Sequence, residues 1–343
     1  MARRLFAAAF AFFLCAFANA QETNTSRHFT FHYAFTVKNV TKGEKLHVWI
    51  PLAHSDAYQD VKVTSMKGDL PLHKTRESEY GNSMLYASTS KATKGEYAFA
   101  VDYDVVRREH VVLVNGKPQG DLHTATLKQA QLKRFLEPDR LVPVTGLPAQ
   151  LAAQTTKGDT TELEKAHAIY QYVLANMRYD KTGTGWGHGD TLFACDAKRG
   201  NCTDFHSLFI SMARSQDIPS RFEIGFPLPA AKHSADIAGY HCWAEFYLKN
   251  DGWVPVDISE AWKDQSKRDY FFGAHDVNRV QFTVGRDIRL SPKQDGQALN
   301  YFVYPYVEIG GKEWANVSNA FSFADEAGSS LGRAALVGAE AVR

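Results

Sequence analysis

Between His28 and about Val114, apolar and polar residues alternate with a period near two, in HFTFHYAFTV, KLHVWIPL, SMLYAST and EYAFAVDYDVV. Such alternation sets one side of each segment against a core and the other in water. Lys42-Gly43 and Lys94-Gly95 break the runs as turns do. The stretch predicts an antiparallel, sandwich-like β domain. The period changes after Asn115 to Gln119 (NGKPQ), and Pro138, Pro143 and Pro148 punctuate the mixed segment from Leu122 to Gly158. Thr160 or Thr161 then caps a helix through Met177, on which Leu163, Ala166, Ile169, Tyr170 and Val173 recur at helical spacing.

Next comes TGTGWGHGD (182–190), whose glycines lack the Lys-Ser or Lys-Thr of a phosphate loop and read as a mobile loop beside an active site. A second helical stripe runs through Phe205, Leu208, Phe209, Met212 and Ala213, with Cys202 at its N-terminal end. From His241 the period returns to two. Asn250-Asp251-Gly252 turns that strand back as WVPVDI, and residues from Asp269 to about Phe323 again look strand-rich. The fold class expected is α+β, in four segments: 1–20 a signal peptide, 21–119 the β-rich domain, 120–285 the catalytic domain, and 286–343 a strand-rich extension and tail.

The leading segment explains itself by composition. Arg3 and Arg4 precede an apolar run from Leu5 to Phe17, and Ala18-Asn19-Ala20 supplies small residues before Gln21. That is the basic, apolar and small order of an export signal, too short to span a bilayer. The protein is therefore expected to be periplasmic or secreted, with no membrane span once the signal is removed. Lys and Arg number 39 and Asp and Glu 38, for a net charge of +1, and no run of like charge suggests a grip on nucleic acid. Asn201-Cys202-Thr203 also reads as a glycosylation sequon, and a glycan there would block the thiol, which favours a bacterial host.

Removing Cys15 with the signal leaves Cys195, Cys202 and Cys242. One disulfide among three leaves one free thiol; a Cys195–Cys242 bridge, one of the possible pairings, would leave Cys202. Asn201 is a good N-cap residue and Asp204 stands where a capping-box acid belongs, so Cys202 opens its helix at the positive end of the dipole, where a thiol ionises readily. If Lys249 to Asp251 form a three-residue loop, Asp257 falls opposite Trp243 and diagonal to His241 on one face. A thiol, an imidazole and a carboxylate so placed suit nucleophilic acyl chemistry. A zinc site from Cys195, Cys202, His206, His241 and Cys242 lacks CxxC or HExxH spacing. No metal or cofactor is expected. Trp186, Tyr240, Trp243 and Trp262 are candidates to line a substrate cleft.

RGNCTDFHSLF, IPSRFEIGF and HCWAEFYLKNDGWVPVD, over about Arg199 to Asp257, resemble the core of the transglutaminase-like superfamily, which has a papain-like fold. The resemblance implies Cys202 as nucleophile, His241 as general base and acid, and Asp257 as its orienter. It implies a thioester acyl-enzyme formed on a protein, peptide or cell-wall peptide amide. An amine acceptor would make the enzyme a transglutaminase, water would make it a peptidase or amidase, and a fold kept without turnover would be a binding module. Animal members of the family present an indole N–H to the oxyanion from an upstream Trp, a role open here to Trp186. The Cys202 backbone N–H is a further donor. The sequence has no calcium-loop pattern.

Overall fold

The computed structural model describes residues 26–119 and 127–326; the expected signal peptide at 1–20 lies outside them. The alternating segments form two five-stranded antiparallel sheets. One runs in the order Ser234–Asp236, Val317–Asp325, Ser26–Val37, Tyr97–Arg108, Gln59–Gly68; the other runs Lys312–Glu313, Tyr306–Ile309, Leu46–Pro51, Ser83–Thr89, His73–Arg76. Period two is obeyed closely: Phe29, Phe31, Tyr33, Phe35 and Val37 are buried on one strand, and Tyr97, Phe99, Val101, Tyr103 and Val105 on its partner.

The segment expected as a C-terminal extension is instead part of this β domain. Val317–Asp325 pairs with Ser26–Val37, and Tyr306–Ile309 pairs with Leu46–Pro51, so the chain returns to give one strand to each sheet. Arg27, fully buried, locks that return: its Nε donates to Asp325 Oδ1 at 2.8 Å, and its Nη1 to Asn278 Oδ1 at 2.8 Å. Linear segmentation could not reveal this, because strand partners are chosen in space.

The second half holds a four-stranded antiparallel sheet in the order Gly252–Val256, His241–Leu248, Ser220–Pro227, Arg279–Val284. Helix Cys202–Arg214 packs on strand His241–Leu248 and is flanked by helices Leu147–Thr155, Glu162–Asn176 and Thr191–Ala197. The helix read from Thr160 or Thr161 begins at Glu162, with Thr161 as its N-cap accepting from the Glu164 N–H at 3.1 Å. The two halves are fused by aromatic packing. Phe226 of the catalytic sheet lies 5.3 Å from Phe31 and 4.6 Å from Phe321, and Phe282 lies 5.6 Å from Tyr33. Among the described residues no helix is long and apolar enough to cross a membrane.

Helix Cys202–Arg214 carries an apolar stripe, yet all 13 of its residues are buried. Neighbours surround it, so its polar face needs internal partners. Ser207 accepts from Arg286, Ser211 donates to the Pro143 carbonyl, and Arg214 Nη1 donates to Asp139 Oδ2 at 2.7 Å. An enclosed helix gives the thiol at its start a rigid mount.

Candidate active site

Asn201 caps the helix by accepting from the Thr203 N–H at 2.9 Å, and Asp204 reaches back to accept from the Asn201 N–H at 2.9 Å. Cys202 is thus the first helical residue, and its N–H lies ahead of the intrahelical ladder. Its side chain is almost enclosed, at 2% exposure.

The imidazole comes from the facing strand. Leu248 pairs with Gly252, so Lys249–Asp251 is the three-residue loop, and Gly252 takes φ +75°, which closes the hairpin. The register pairs Ala244 with Val256 and carries Asp257 one step further, opposite Trp243 and diagonal to His241. His241 Nε2 meets Asp257 Oδ2 at 2.7 Å. That leaves Nδ1 free of Asp257, and the His241 ring and the Cys202 thiol lie near enough to shift each other's ionisation. Cys202, His241 and Asp257, taken from separate motifs, are brought together in one cluster.

Electrostatics turn this cluster into an ion pair. Burial alone would raise the Cys202 pKa, but a hydrogen bond from Cys242 and the hydrogen bond and charge of His241 bring it well below the usual thiol range. Burial would likewise disfavour a charged His241; the Asp257 carboxylate and the Cys202 thiolate outweigh it and push the imidazolium up to about 10. Asp257 stays ionised despite burial because it receives His241, Arg279 Nη1 at 3.0 Å, Ser259 Oγ at 3.1 Å and the Glu260 N–H at 3.2 Å. Both shifts favour a thiolate facing an imidazolium.

Sequence reading missed Arg279. Buried and 4.8 Å from the centroid of the Trp243 ring, it donates to Asp257 Oδ2, the same oxygen that His241 meets. No motif marks it, since it arrives on a strand 22 residues after its partner. His206, weighed in the sequence as a zinc ligand, has a definite post. Its Nδ1 donates to the Cys202 carbonyl at 2.7 Å and its Nε2 accepts from the Ile258 N–H at 3.1 Å, a neutral tautomer tying the nucleophile helix to the segment after Asp257. Helical spacing of four from Cys202 was the available signal.

The glycine-rich loop, expected to be mobile, is pinned. Asp204 accepts from the N–H groups of Gly187 at 2.7 Å and Gly189 at 3.0 Å, while Arg286 holds the His188 and Gly189 carbonyls, each at 2.9 Å. Gly189 has φ +60°, and a Cβ there would stand 2.4 Å from Ser207 Oγ.

Other candidates fall elsewhere. Trp186 spends its indole N–H on the Gly183 carbonyl at 3.1 Å, within its own loop, so it offers no donor to an oxyanion. Trp243 is fully buried with Nε1 on Glu223 Oε2 at 2.8 Å; it supports the sheet and cannot line a cleft, because a strand enclosed on both faces hides every second residue on each side. Tyr240 is half-buried beside the helix start, its hydroxyl bonded to Thr203 Oγ1 at 2.8 Å and accepting from Asn201 Nδ2 at 3.0 Å. Trp262 is half-buried and leans on Tyr179, 6.4 Å away. Cys195 and Cys242 form no disulfide; Cys195, Cys202 and Cys242 are all free thiols. Cys242 faces the nucleophile, whereas Cys195 sits on helix Thr191–Ala197.

Comparison with known proteins gives this arrangement its lineage. Residues 149–258 match the transglutaminase-like superfamily. An uncharacterised protein of Haemophilus influenzae is 30% identical over 333 residues, covering 85% of this chain and 89% of its own. The chain belongs to the transglutaminase-like superfamily. A solved structure of a candidate cysteine protease from Cytophaga hutchinsonii superposes with a TM-score of 0.58 at 14% identity, covering 88% of this chain and 98% of the other. That likeness extends the shared architecture beyond the catalytic core to nearly the whole transglutaminase-like chain.

Proposed function

We propose that the protein is an exported cysteine acyltransferase that forms a thioester on a protein or peptide amide and passes the acyl group to an amine. The observation that carries this reading is the Cys202–His241–Asp257 cluster, with Asp257 2.7 Å from His241 and the His241 charge lowering the pKa of the Cys202 thiol. The Cys202 thiolate attacks the amide carbon, and the oxyanion forms toward the Cys202 N–H at the helix start. His241 gives its proton to the departing amine, leaving a thioester and a neutral imidazole. The incoming amine attacks that thioester, His241 takes its proton, and the amide product leaves the thiolate and imidazolium as they began. Asp257 holds the ring throughout.

Cys202 is buried, at 2% exposure, and a site that opens to an amine while keeping water from the thioester favours transfer over hydrolysis. The basic, apolar and small pattern of residues 1–20 supports export. Cell-wall peptides and periplasmic proteins are the substrates such a location offers.

The test is to supply a labelled primary amine and a glutamine-containing protein to wild type and to Cys202→Ala. Incorporation that depends on Cys202 supports transfer. Ammonia or new termini released without incorporation would replace transfer by hydrolysis, and incorporation by Cys202→Ala would overturn the mechanism.

A further inference from the structure

Behind the catalytic histidine lies a second cluster of ligating groups that the acyl chemistry does not use. His110 and His275 stand directly opposite each other across a short antiparallel pairing of His110–Val111 with Ala274–His275, and their rings lie 6.2 Å apart. Glu245 joins them from strand His241–Leu248, two residues beyond Trp243 on the same face. One donor atom from each of the three comes within 4.8 Å of the others, and all three residues are buried.

Several features distinguish this trio from ordinary core polarity. Both ring nitrogens of His275, which is fully buried, lack a hydrogen-bond partner, and so does His110 Nε2. Buried imidazole nitrogens without partners are destabilising, so a bound ligand would relieve them. His110 Nδ1 and Glu245 Oε1 are 3.4 Å apart, about the separation (roughly 3.4 Å) that two ligands of a tetrahedral ion keep when each bond is about 2.1 Å. The second carboxylate oxygen of Glu245 is held by Arg221 at 2.6 Å, which orients the carboxylate and leaves Oε1 for the histidines. A cavity of about 280 Å³, lined in part by His110 and Glu245, opens beside them with room for a water ligand.

We propose that His110, Glu245 and His275 bind one divalent transition-metal ion of the zinc type, with the cavity supplying a water as fourth ligand. Two imidazoles and one carboxylate suit zinc, cobalt or nickel and poorly suit calcium or magnesium, which take oxygen ligands. The ion joins the strand that ends the N-terminal β domain to the catalytic sheet. It also sits next to the catalytic residues: the Trp243 ring touches His275 at 5.6 Å on one side and His241 at 5.8 Å on the other. Its role is to clamp the seam and set the bed on which His241 lies.

The experiment strips the purified protein with a chelator and titrates it with Zn²⁺ and separately with Co²⁺, using wild type, Cys202→Ala, His275→Gln and Glu245→Gln. The expected result is one equivalent bound by wild type and equally by Cys202→Ala, with a cobalt spectrum free of thiolate charge-transfer bands and a rise in melting temperature on adding Zn²⁺. His275→Gln and Glu245→Gln should bind at least about tenfold more weakly. If either variant fails to fold, the Cys202→Ala titration and its spectrum still decide. Folded wild type that binds no ion overturns the proposal, as does binding that disappears in Cys202→Ala or that shows thiolate bands. These readouts are independent of turnover, so failure of the acyl reaction and failure of the metal site are told apart.

Discussion

Asp257 accepts from His241 Nε2 at 2.7 Å and from Arg279 at 3.0 Å on the same oxygen, Oδ2. One carboxylate oxygen therefore holds the catalytic ring and a buried guanidinium at once. Asp257→Asn keeps the shape but loses the charge that sustains the imidazolium. Its kcat should fall by about 10³- to 10⁴-fold, read from amine incorporation or alkylation kinetics. A variant retaining more than a tenth of wild-type kcat would remove Asp257 from the mechanism.

Arg279 touches Asp257 and not the reacting atoms, so it is a positioning residue. Arg279→Met leaves Asp257 with one charged partner fewer inside the protein and should cost about 3–5 kcal/mol in denaturant unfolding. Activity in the folded fraction should fall through kcat while KM holds, because the ring is less firmly placed.

The ion pair dictates the pH profile. The Cys202 pKa is lowered and the His241 pKa raised to about 10, so thiolate and imidazolium coexist between the lowered thiol pKa and that value. kcat/KM should be flat across neutral pH, fall in acid as the thiolate takes a proton, and fall again near pH 10 as the imidazolium loses one. Alkylation of Cys202 by iodoacetamide should already be fast at pH 6. A rate that climbs only near the pKa of an ordinary thiol, about 8.5, would show that no ion pair exists.

Asp204 clips the glycine-rich loop to the nucleophile helix. Asp204→Ala strands the Gly187, Gly189 and Asn201 N–H groups and should cost about 1–3 kcal/mol for each one left without a partner. Limited proteolysis should then cut within 182–190 faster than it does in wild type.

The three cysteines should react as thiols. Denatured without reductant, the protein should take one alkyl group at each of Cys195, Cys202 and Cys242, and prior reduction should change nothing. Mass spectrometry of the peptides reads this directly.

Local pattern carried the sequence reading furthest where neighbours along the chain set the geometry. Asn201 and Asp204 announced the helix start, and Asn250-Asp251-Gly252 announced a hairpin whose loop length decides which face Asp257 takes. Both are short-range relationships, governed by capping and by the two-residue repeat of a strand. The aromatic candidates fared differently. Trp186 and Trp243 have the same composition whether they face a cleft, a loop carbonyl or a buried carboxylate, and only packing distinguishes these cases.

From its sequence alone this protein has its strand periods, its helix caps and the order in which thiol, imidazole and carboxylate arrive. Tertiary structure alone decides that Val317–Asp325 pairs with the strand begun at Ser26, that Arg279 completes the hold on Asp257, and that ligating atoms of His110, Glu245 and His275 come within 4.8 Å of one another. The difference is one of range: backbone hydrogen bonding and capping act over a few residues and leave a readable pattern. Contacts between segments far apart in the chain depend on how whole sheets and helices pack, and no local spacing records them.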